Sequence, residues 1–284
     1  GAELVVVCAV AHRHETLAKT CAAHLRDGQT LLISAGSGAS LLFDREIRAA
    51  RRLSAEQTHD VTLGELEGNL YPCRRTHPAR IFMAFPPARR MVAALPAVDT
   101  PRLQAALDGI LETSPASNVL ETALNSPNVV THVAGCVPNA AGIDRSGGKF
   151  AFFRDGLSAS VIKCSAAVEA ERDAVLERLG LARYMQVTAL SEKLMQGTPP
   201  GFEAFVELDG PGNLRHRYVE EDAMCGMSLL VSLAEACGVD VPVSRSLLCL
   251  AGVFNGTDYA ESGRNLKNLG LAGLAPQEIL VRLC

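Results

Sequence analysis

The chain has 284 residues, 48% of them hydrophobic and 20% charged, which is the balance of a globular protein of one or two domains. Its formal net charge of -4 and its lack of long basic runs give no electrostatic reason to bind nucleic acid or an anionic membrane. The nine cysteines form no CxxC pair, and the apolar runs are too short to span a bilayer. We therefore expect reduced thiols, no metal site and a cytoplasmic location.

The first part of the chain alternates between apolar strands and segments of helical periodicity, as in a doubly wound parallel sheet. The predicted strands are 4–10, 30–34, 59–66, 70–74 and 80–85. The predicted helices of this part are 14–26, 41–53, 86–95 and 101–111.

From about residue 113 onward, strand candidates nearly vanish and helical periodicity dominates. The predicted helices of this part are 116–142, 157–181, 218–238, 244–256 and 275–283. We therefore place a domain boundary near residue 112, with an α/β domain at 1–112 and an all-helical domain at 113–284.

The α/β part lacks the motif with which a dinucleotide-binding fold opens, a first strand that runs into GxGxxG. The sequence GSG at 36–38 has no third glycine and follows the wrong strand. We interpret residues 1–112 as the C-terminal part of a Rossmann domain that begins at the fourth strand. The N-terminal half, with the pyrophosphate cradle, is expected to be missing.

A polar stripe marks the helix around His132. Asn128, His132, Gly135 and Asn139 are spaced by four, three and four residues and share one helical face, while valines fill the other. A lone histidine in such a place is usually a core residue that hydrogen-bonds a neighbour. The two asparagines in register favour a functional site.

A second cluster lies in NLRHRYVEEDAMCGM at 213–227. Arg217 has the fork geometry that binds a carboxylate, and Asp222 can orient an imidazole and stabilise its protonated form. Acidic residues also occur at helix N-termini for electrostatic reasons alone. We interpret Glu220 and Glu221 in that way, while spacing leaves Asp222 undecided.

Two further groups carry weaker signals. The segment 64–75 brings Glu65, Cys73 and Arg74 into a strand-like stretch, for which a structural strand with a surface arginine is the simpler interpretation. His12 and His14 follow the first strand without other residues at metal-ligand spacing, so we interpret His14 as a solvated helix cap.

Taken in order, these segments resemble the octopine/nopaline (opine) dehydrogenase family over nearly the whole chain. The most specific parts of the resemblance are NVVTHVAG at 128–135, FRDGLSASV at 153–161 and HRYVEED at 216–222. The resemblance implies a Rossmann domain followed by a helical substrate domain similar to the C-terminal domain of 6-phosphogluconate dehydrogenase. It implies reductive condensation of an amino acid with a 2-oxo acid, such as pyruvate, by NAD or NADP.

The resemblance also implies roles for individual residues. His132 corresponds to the catalytic histidine and Asp222 to its partner, while Arg217 binds the substrate carboxylate and Cys73 lies near the oxo-acid pocket. Asn128 and Asn139, selected from the polar stripe, complete the predicted substrate-binding set. The cofactor-binding residues are Ala9, Val10, Gly36, Ser37 and Gly38.

Two alternatives remain open. A ketopantoate reductase-like enzyme would require a lysine with an asparagine four residues later, and none of the five lysines has one. A non-catalytic substrate-binding or dimerisation remnant is the other alternative, because without the GxGxxG half we expect the chain to bind NAD(P)H weakly or not at all. A homodimer, or association with the missing half, is possible in either case.

Overall fold

The structure is a computed structural model that describes residues 1–53, 59–71, 73–83, 89–184, 186–198, 202–208 and 210–284. The side chain of Arg74 lies outside the described part, and the prediction that involves it is not tested. Within this part the architecture is of the predicted class, a sheet with flanking helices followed by an all-α region.

The described residues form seven strands: β1 (Leu4–Val7), β2 (Thr30–Ile33), β3 (Thr62–Leu66), β4 (Cys73–His77), β5 (Arg80–Met83), β6 (Arg90–Leu95) and β7 (Thr113–Pro115). Five of them form one sheet in the order β1-β2-β3-β6-β7, and β4 pairs with β5 in a separate hairpin. β1, β2 and β3 are parallel, whereas β6 is antiparallel to β3 and parallel to β7. The loops that follow β1, β2 and β3 therefore share one edge, where α/β sheets bind their ligands.

The α-helices of the described residues are α1 (His14–Cys21), α2 (Ala39–Leu53), α3 (Thr100–Leu107), α4 (Val119–Leu124), α5 (Pro127–Cys136), α6 (Ala140–Arg145), α7 (Phe152–Asp155), α8 (Ala159–Leu179), α9 (Val187–Gln196), α10 (Glu203–Val206), α11 (Arg217–Glu221), α12 (Ser228–Cys237), α13 (Pro242–Asn255), α14 (Tyr259–Ser262) and α15 (Pro276–Leu283). A single turn of π-helix, Asp222–Met227, joins α11 to α12. None of the described helices has the length and apolarity that a membrane span requires.

Strand β2 shows why the apolar runs form a sheet with helices on both faces. Leu31 and Ile33 pack into one buried cluster with Phe43 of α2, while Leu32 packs into another with Leu103 of α3. Alternate side chains of a strand point to opposite faces, so an uninterrupted apolar run requires cover on both.

The prediction of a helix at 86–95 is wrong for the residues that the structure describes. Residues 90–95 form β6, in which Val92, Ala93 and Ala94 are fully buried between β3 and β7. The alanine-rich sequence MVAAL suits a helix by propensity, but its position in the centre of the sheet decides the outcome. Residues 84–88 lie outside the described residues.

The sheet and the helices share a core. The largest buried cluster combines Leu42, Met91 and Ala93 from the sheet part with Val133 and Leu229 from the helical part. The last strand, β7, begins immediately beyond residue 112, and the helices begin at Val119. This shared core brings the sheet edge against the helices that carry the predicted site.

Candidate active site

Helix α5 carries His132 and is buried along most of its length. Pro127 occupies its first turn, where a missing N–H costs nothing, and Pro138 follows its C-terminal end, where it prevents continuation. A Cβ on Gly226 would lie 2.9 Å from Cγ2 of Val129, so α5 and the π-helix approach each other closely. His132 lies three residues after Val129, and Asp222 lies four residues before Gly226. The close approach therefore brings His132 and Asp222 together.

His132 and Asp222 form a buried hydrogen-bonded pair. Nδ1 of His132 lies 2.7 Å from Oδ2 of Asp222, and the two side chains are only 7% and 9% exposed. Asp222 is the first residue of the π-helix, a rare element that is often found at functional sites. The two residues, 90 positions apart in sequence, therefore have the arrangement in which a carboxylate orients an imidazole.

Tyr218 connects this pair to Arg217. The imidazole of His132 stacks on the Tyr218 ring with centroids 3.7 Å apart, and Cζ of Arg217 lies 5.2 Å from the same ring centroid. Nδ1 of His216 accepts a hydrogen bond from the Tyr218 N–H and caps α11. Phe152 meets both His132 and Tyr218 edge-on. Neither aromatic residue was predicted as part of the site, although Tyr218 lies in HRYVEED at 216–222 and Phe152 immediately precedes FRDGLSASV at 153–161.

The prediction that Asn139 continues the polar face of one helix with His132 is wrong, because α5 ends at Cys136 and Asn139 directly precedes α6. Both N–H groups of the Asn139 carboxamide are within 2.8 Å of backbone carbonyls, those of Gly135 and Gly156. A Cβ on Gly135 would overlap the Phe152 ring, which explains the glycine. Asn128 is half-buried one turn before His132.

The 35–38 loop follows β2 at the ligand edge of the sheet. Ala35 and Ser37 have φ of 51° and 50°, in the left-handed region that non-glycine residues rarely adopt. The buried carboxylate of Glu65 accepts hydrogen bonds from the N–H of Gly38 at 2.8 Å and of Ser40 at 2.6 Å. Burial raises the pKa of Glu65, and these N–H groups oppose that shift. Glu65 is therefore the acidic cap of α2.

The interpretation of Glu221 as a solvated helix-start charge is wrong. Glu221 ends α11, is buried, and accepts a hydrogen bond at 2.6 Å from the N–H of Ala11 in the loop after β1. Burial, followed by the neighbouring Asp222, raises the pKa of Glu221. Helical spacing could not reveal this contact, which spans 210 positions of sequence.

The residues after β1 differ from the prediction in one place. Ala9 is half-buried and Val10 is 36% exposed at the ligand edge. His14 is fully buried rather than solvated, and its Nε2 lies 3.2 Å from the carbonyl of Ala9. Helix α1, which begins at His14, packs against α2 through residues such as Ala18 and Phe43.

Cys73, the first residue of β4, lies near the same edge. Cys73 is half-buried. Burial of Cys8, the residue that directly follows β1, raises the pKa of Cys8, and the nearby Cys73 raises it further. Phe82, on strand β5 of the same hairpin, packs into a hydrophobic cluster that also contains Phe153 and Phe205 of the helical part. Among the described residues, no group of three or more His, Cys, Asp or Glu side chains could hold a metal ion.

Comparison with known proteins identifies the family. Residues 115–255 match the model of the NAD/NADP octopine/nopaline dehydrogenase alpha-helical domain. The opine dehydrogenase of Arthrobacter sp. (strain 1C) is 29% identical to the chain over an alignment that covers 96% of the chain and 76% of that protein. The chain belongs to the octopine/nopaline dehydrogenase family. It is an NAD(P)-dependent oxidoreductase of the opine dehydrogenase type.

Other relatives agree with this assignment. The protein ocs of Agrobacterium tumefaciens (strain Ach5) is 28% identical over 52% of the chain and 43% of its own length. Octopine dehydrogenase in complex with NADH and agmatine matches with a TM-score of 0.66 at 16% identity, covering 99% of the chain and 78% of that structure. A PanE/ApbA family ketopantoate reductase from Ralstonia eutropha JMP134 matches with a TM-score of 0.53 at 14% identity, covering 90% and 76%. Both structural likenesses concern the fold, a Rossmann-type sheet followed by helices.

Proposed function

We propose that this opine dehydrogenase relative joins the amino group of an amino acid to C2 of a 2-oxo acid such as pyruvate, and reduces the resulting imine to a secondary amine dicarboxylate. The observation that carries the proposal is the buried 2.7 Å contact between His132 and Asp222, with Arg217 one residue from the ring on which His132 stacks.

His132 is the proposed proton carrier. An imidazole exchanges protons near neutral pH, so it can accept one from the incoming ammonium and return one to the hydroxyl that leaves as water. Asp222 contacts Nδ1, which directs the exchange with substrate to Nε2. The carboxylate also stabilises the imidazolium that forms between the two proton transfers. The pair therefore serves both formation and dehydration of the carbinolamine.

Arg217 is the proposed carboxylate-binding residue. Its guanidinium is half-buried, and its Nη1 lies 3.7 Å from Oε2 of Glu221, too far for a hydrogen bond. A planar guanidinium can bind the oxo-acid carboxylate through two parallel N–H donors, which a lysine cannot do. Held in this way, C2 of the oxo acid would lie near His132, because both side chains contact Tyr218.

The 35–38 loop fits the nicotinamide end of the cofactor better than its phosphates. The N–H groups at the start of α2, which in other folds bind a phosphate, already bind the carboxylate of Glu65. A Cβ on Gly36 would overlap the Glu65 carboxylate, so the glycine lets that carboxylate pack directly against the loop. When bound, the reduced nicotinamide supplies the hydride that reduces the imine.

The reaction is tested by following oxidation of NADH and of NADPH with pyruvate and a panel of amino acids, and by mass spectrometry of the product. We expect oxidation that requires both substrates and a secondary amine product. Titration of each cofactor by calorimetry is the companion measurement. Oxidation with ketopantoate alone, or the absence of both turnover and cofactor binding, would contradict the proposal.

Arg217→Lys tests the proposed carboxylate clamp. We expect KM for pyruvate to rise by about 10-fold to 100-fold, because a charge-assisted two-point contact is reduced to one. KM for the cofactor should stay unchanged. Arg215→Lys is the matched control, since Arg215 lies two residues away and is exposed. Equal effects of the two substitutions on KM for pyruvate would argue against the role of Arg217.

A further inference from the structure

Arg264, in the loop after α14, is a buried cation that no step of the proposed reaction uses. Its guanidinium donates to three backbone carbonyls at the ligand edge of the sheet. Nη1 lies 2.6 Å from the oxygen of Gly36 and 3.2 Å from that of Ser37, and Nη2 lies 2.7 Å from that of Ala11. One side chain of the helical part therefore binds the loops after both β1 and β2.

The 35–38 loop needs such support. Left-handed φ values at the non-glycine residues Ala35 and Ser37 persist only where the surroundings over-determine the backbone. Glu65 accepts hydrogen bonds from the N–H groups of Gly38 and of Ser40 in α2, and Arg264 donates to the carbonyls of Gly36 and Ser37. The loop is thus fixed through both kinds of backbone polar group.

The backbone of Arg264 is attached to the element that carries Asp222. Its N–H donates to the carbonyl of Met224, within the π-helix, at 2.7 Å. Gly263 allows this contact, since a Cβ there would lie 2.7 Å from the same carbonyl oxygen. Arg264 therefore spans the distance from the π-helix to the loops of the sheet.

Glu221 provides a second link between the same parts. Its carboxylate accepts from the N–H of Ala11, while Arg264 donates to the Ala11 carbonyl, so both polar groups of one residue are bound by the helical part. Glu221 immediately precedes Asp222 in the chain. Burial raises the pKa of both Glu65 and Glu221, and the positive charge of Arg264 is among the groups that oppose this shift.

We propose that Arg264 is a positioning residue that holds the 35–38 loop against the π-helix and so fixes the predicted nicotinamide site relative to the His132–Asp222 pair. Its consequence for catalysis rests on the proposed function. A displacement of about 1 Å between a hydride donor and its acceptor can lower the rate roughly 100-fold. Arg264 contacts neither substrate nor cofactor in this proposal.

The positioning role of Arg264 is tested without substrate or cofactor, by measuring hydrogen exchange of the full chain that carries Arg264→Lys. Lysine keeps the charge but cannot reach carbonyls of two loops with a rigid fork. We expect exchange of peptides that cover 11–13 and 35–40 to become about 10-fold faster or more. Arg172→Lys is the control, because Arg172 is also a fully buried arginine but pairs with Glu169 and Asp173 on α8. Unchanged protection of the 35–40 peptides in Arg264→Lys would overturn the proposal.

Kinetics test the catalytic consequence. Per folded molecule, Arg264→Lys should raise KM for the reduced cofactor and lower kcat by about 10-fold or more, while Arg172→Lys should lower thermal stability and leave both constants unchanged. If both variants lose activity equally, and only in proportion to the fraction of unfolded protein, Arg264 has a structural role alone. If the wild-type chain shows no turnover, the proposed function fails. The exchange experiment still decides whether Arg264 holds the 35–38 loop.

Discussion

Two buried carboxylates, one in each part of the molecule, have opposite kinds of partner. In the helical part Asp222 binds an imidazole, a group that itself gains and loses protons. In the sheet part Glu65 binds the N–H groups of Gly38 and Ser40, which do not titrate. Burial and hydrogen bonding are therefore shared by a proposed catalytic group and a structural one. The chemistry of the partner is what separates them.

The largest expected effect concerns the first carboxylate. Asp222→Asn keeps the shape of the side chain but can no longer favour the imidazolium or hold the productive tautomer of His132. We expect kcat for amino acid and pyruvate to fall by about 100-fold to 10,000-fold with little change in the free energy of unfolding.

The control for this substitution is Asp173→Asn. Asp173 is also paired with a buried side chain, since its Oδ1 lies 2.7 Å from Nε of Arg172, but it has no role in the proposed reaction. It should leave kcat within roughly twofold. A similar kcat for Asp222→Asn and wild type would show that the 2.7 Å contact is structural.

The second carboxylate should show the reverse behaviour. Glu65→Gln places an NH₂ group against the N–H of Gly38 or Ser40, so one buried donor loses its acceptor. We expect the free energy of unfolding, measured in urea, to fall by about 1–3 kcal/mol. Any loss of activity should follow from displacement of the loop and should not change the pH profile.

Glu67→Gln provides the contrast within the same region. Glu67 is buried like Glu65, but its Oε2 has no hydrogen-bond partner among the described residues, and burial raises its pKa. Nη1 of Arg90 lies 3.7 Å from Oε1 of Glu67, beyond hydrogen-bond distance. Because burial already disfavours the charged form, neutralising Glu67 should change stability by less than about 1 kcal/mol. If Glu65→Gln is equally mild, the capping role of Glu65 is wrong.

The sequence predicts the two carboxylates unequally for a physical reason. Asn128, His132 and Gly135 repeat with helical periodicity, which local sequence reveals. Spacing left Asp222 undecided, and the family resemblance selected it. The contacts of Glu65, Glu221 and Arg264 join residues far apart in the chain, and each of these residues looks like surface charge when read locally. Their roles follow only from the packing of the helical part against the sheet edge.

The fold, too, was predictable only where local sequence patterns mark an element. Apolar runs identified β2 and its parallel neighbours, and periodicity identified α8, α12 and α13. The antiparallel strand β6 was missed, because the alanine-rich sequence of 90–95 has no β-branched pattern to mark it. The single π-helical turn at Asp222 was missed as well, since it differs from an α-helix by one hydrogen-bond step.

His132 and His14 differ in the same way, and the difference bears on how the free energy of unfolding depends on pH. His132 has a carboxylate partner, whereas His14 has the carbonyl of Ala9 on one side and, among the described residues, no partner for Nδ1. Burial, and then the charge of Arg264, lowers the pKa of His14 from 6.5 to about 3. Between these two values the unfolded chain binds a proton that the folded protein does not. This group therefore makes the protein less stable as pH falls below 6.5.

His14→Gln should remove that dependence while keeping a donor for the Ala9 carbonyl. From pH 7 to pH 5, the wild-type free energy of unfolding should fall by about 1–2 kcal/mol more than that of the variant. Urea unfolding at a series of pH values measures the difference. The same substitution at the exposed His24 should leave the slope of the wild type unchanged. Parallel curves for His14→Gln and wild type would mean that the imidazole of His14 binds a proton equally well in the folded and unfolded chain, and that the cation of Arg264 does not act on it.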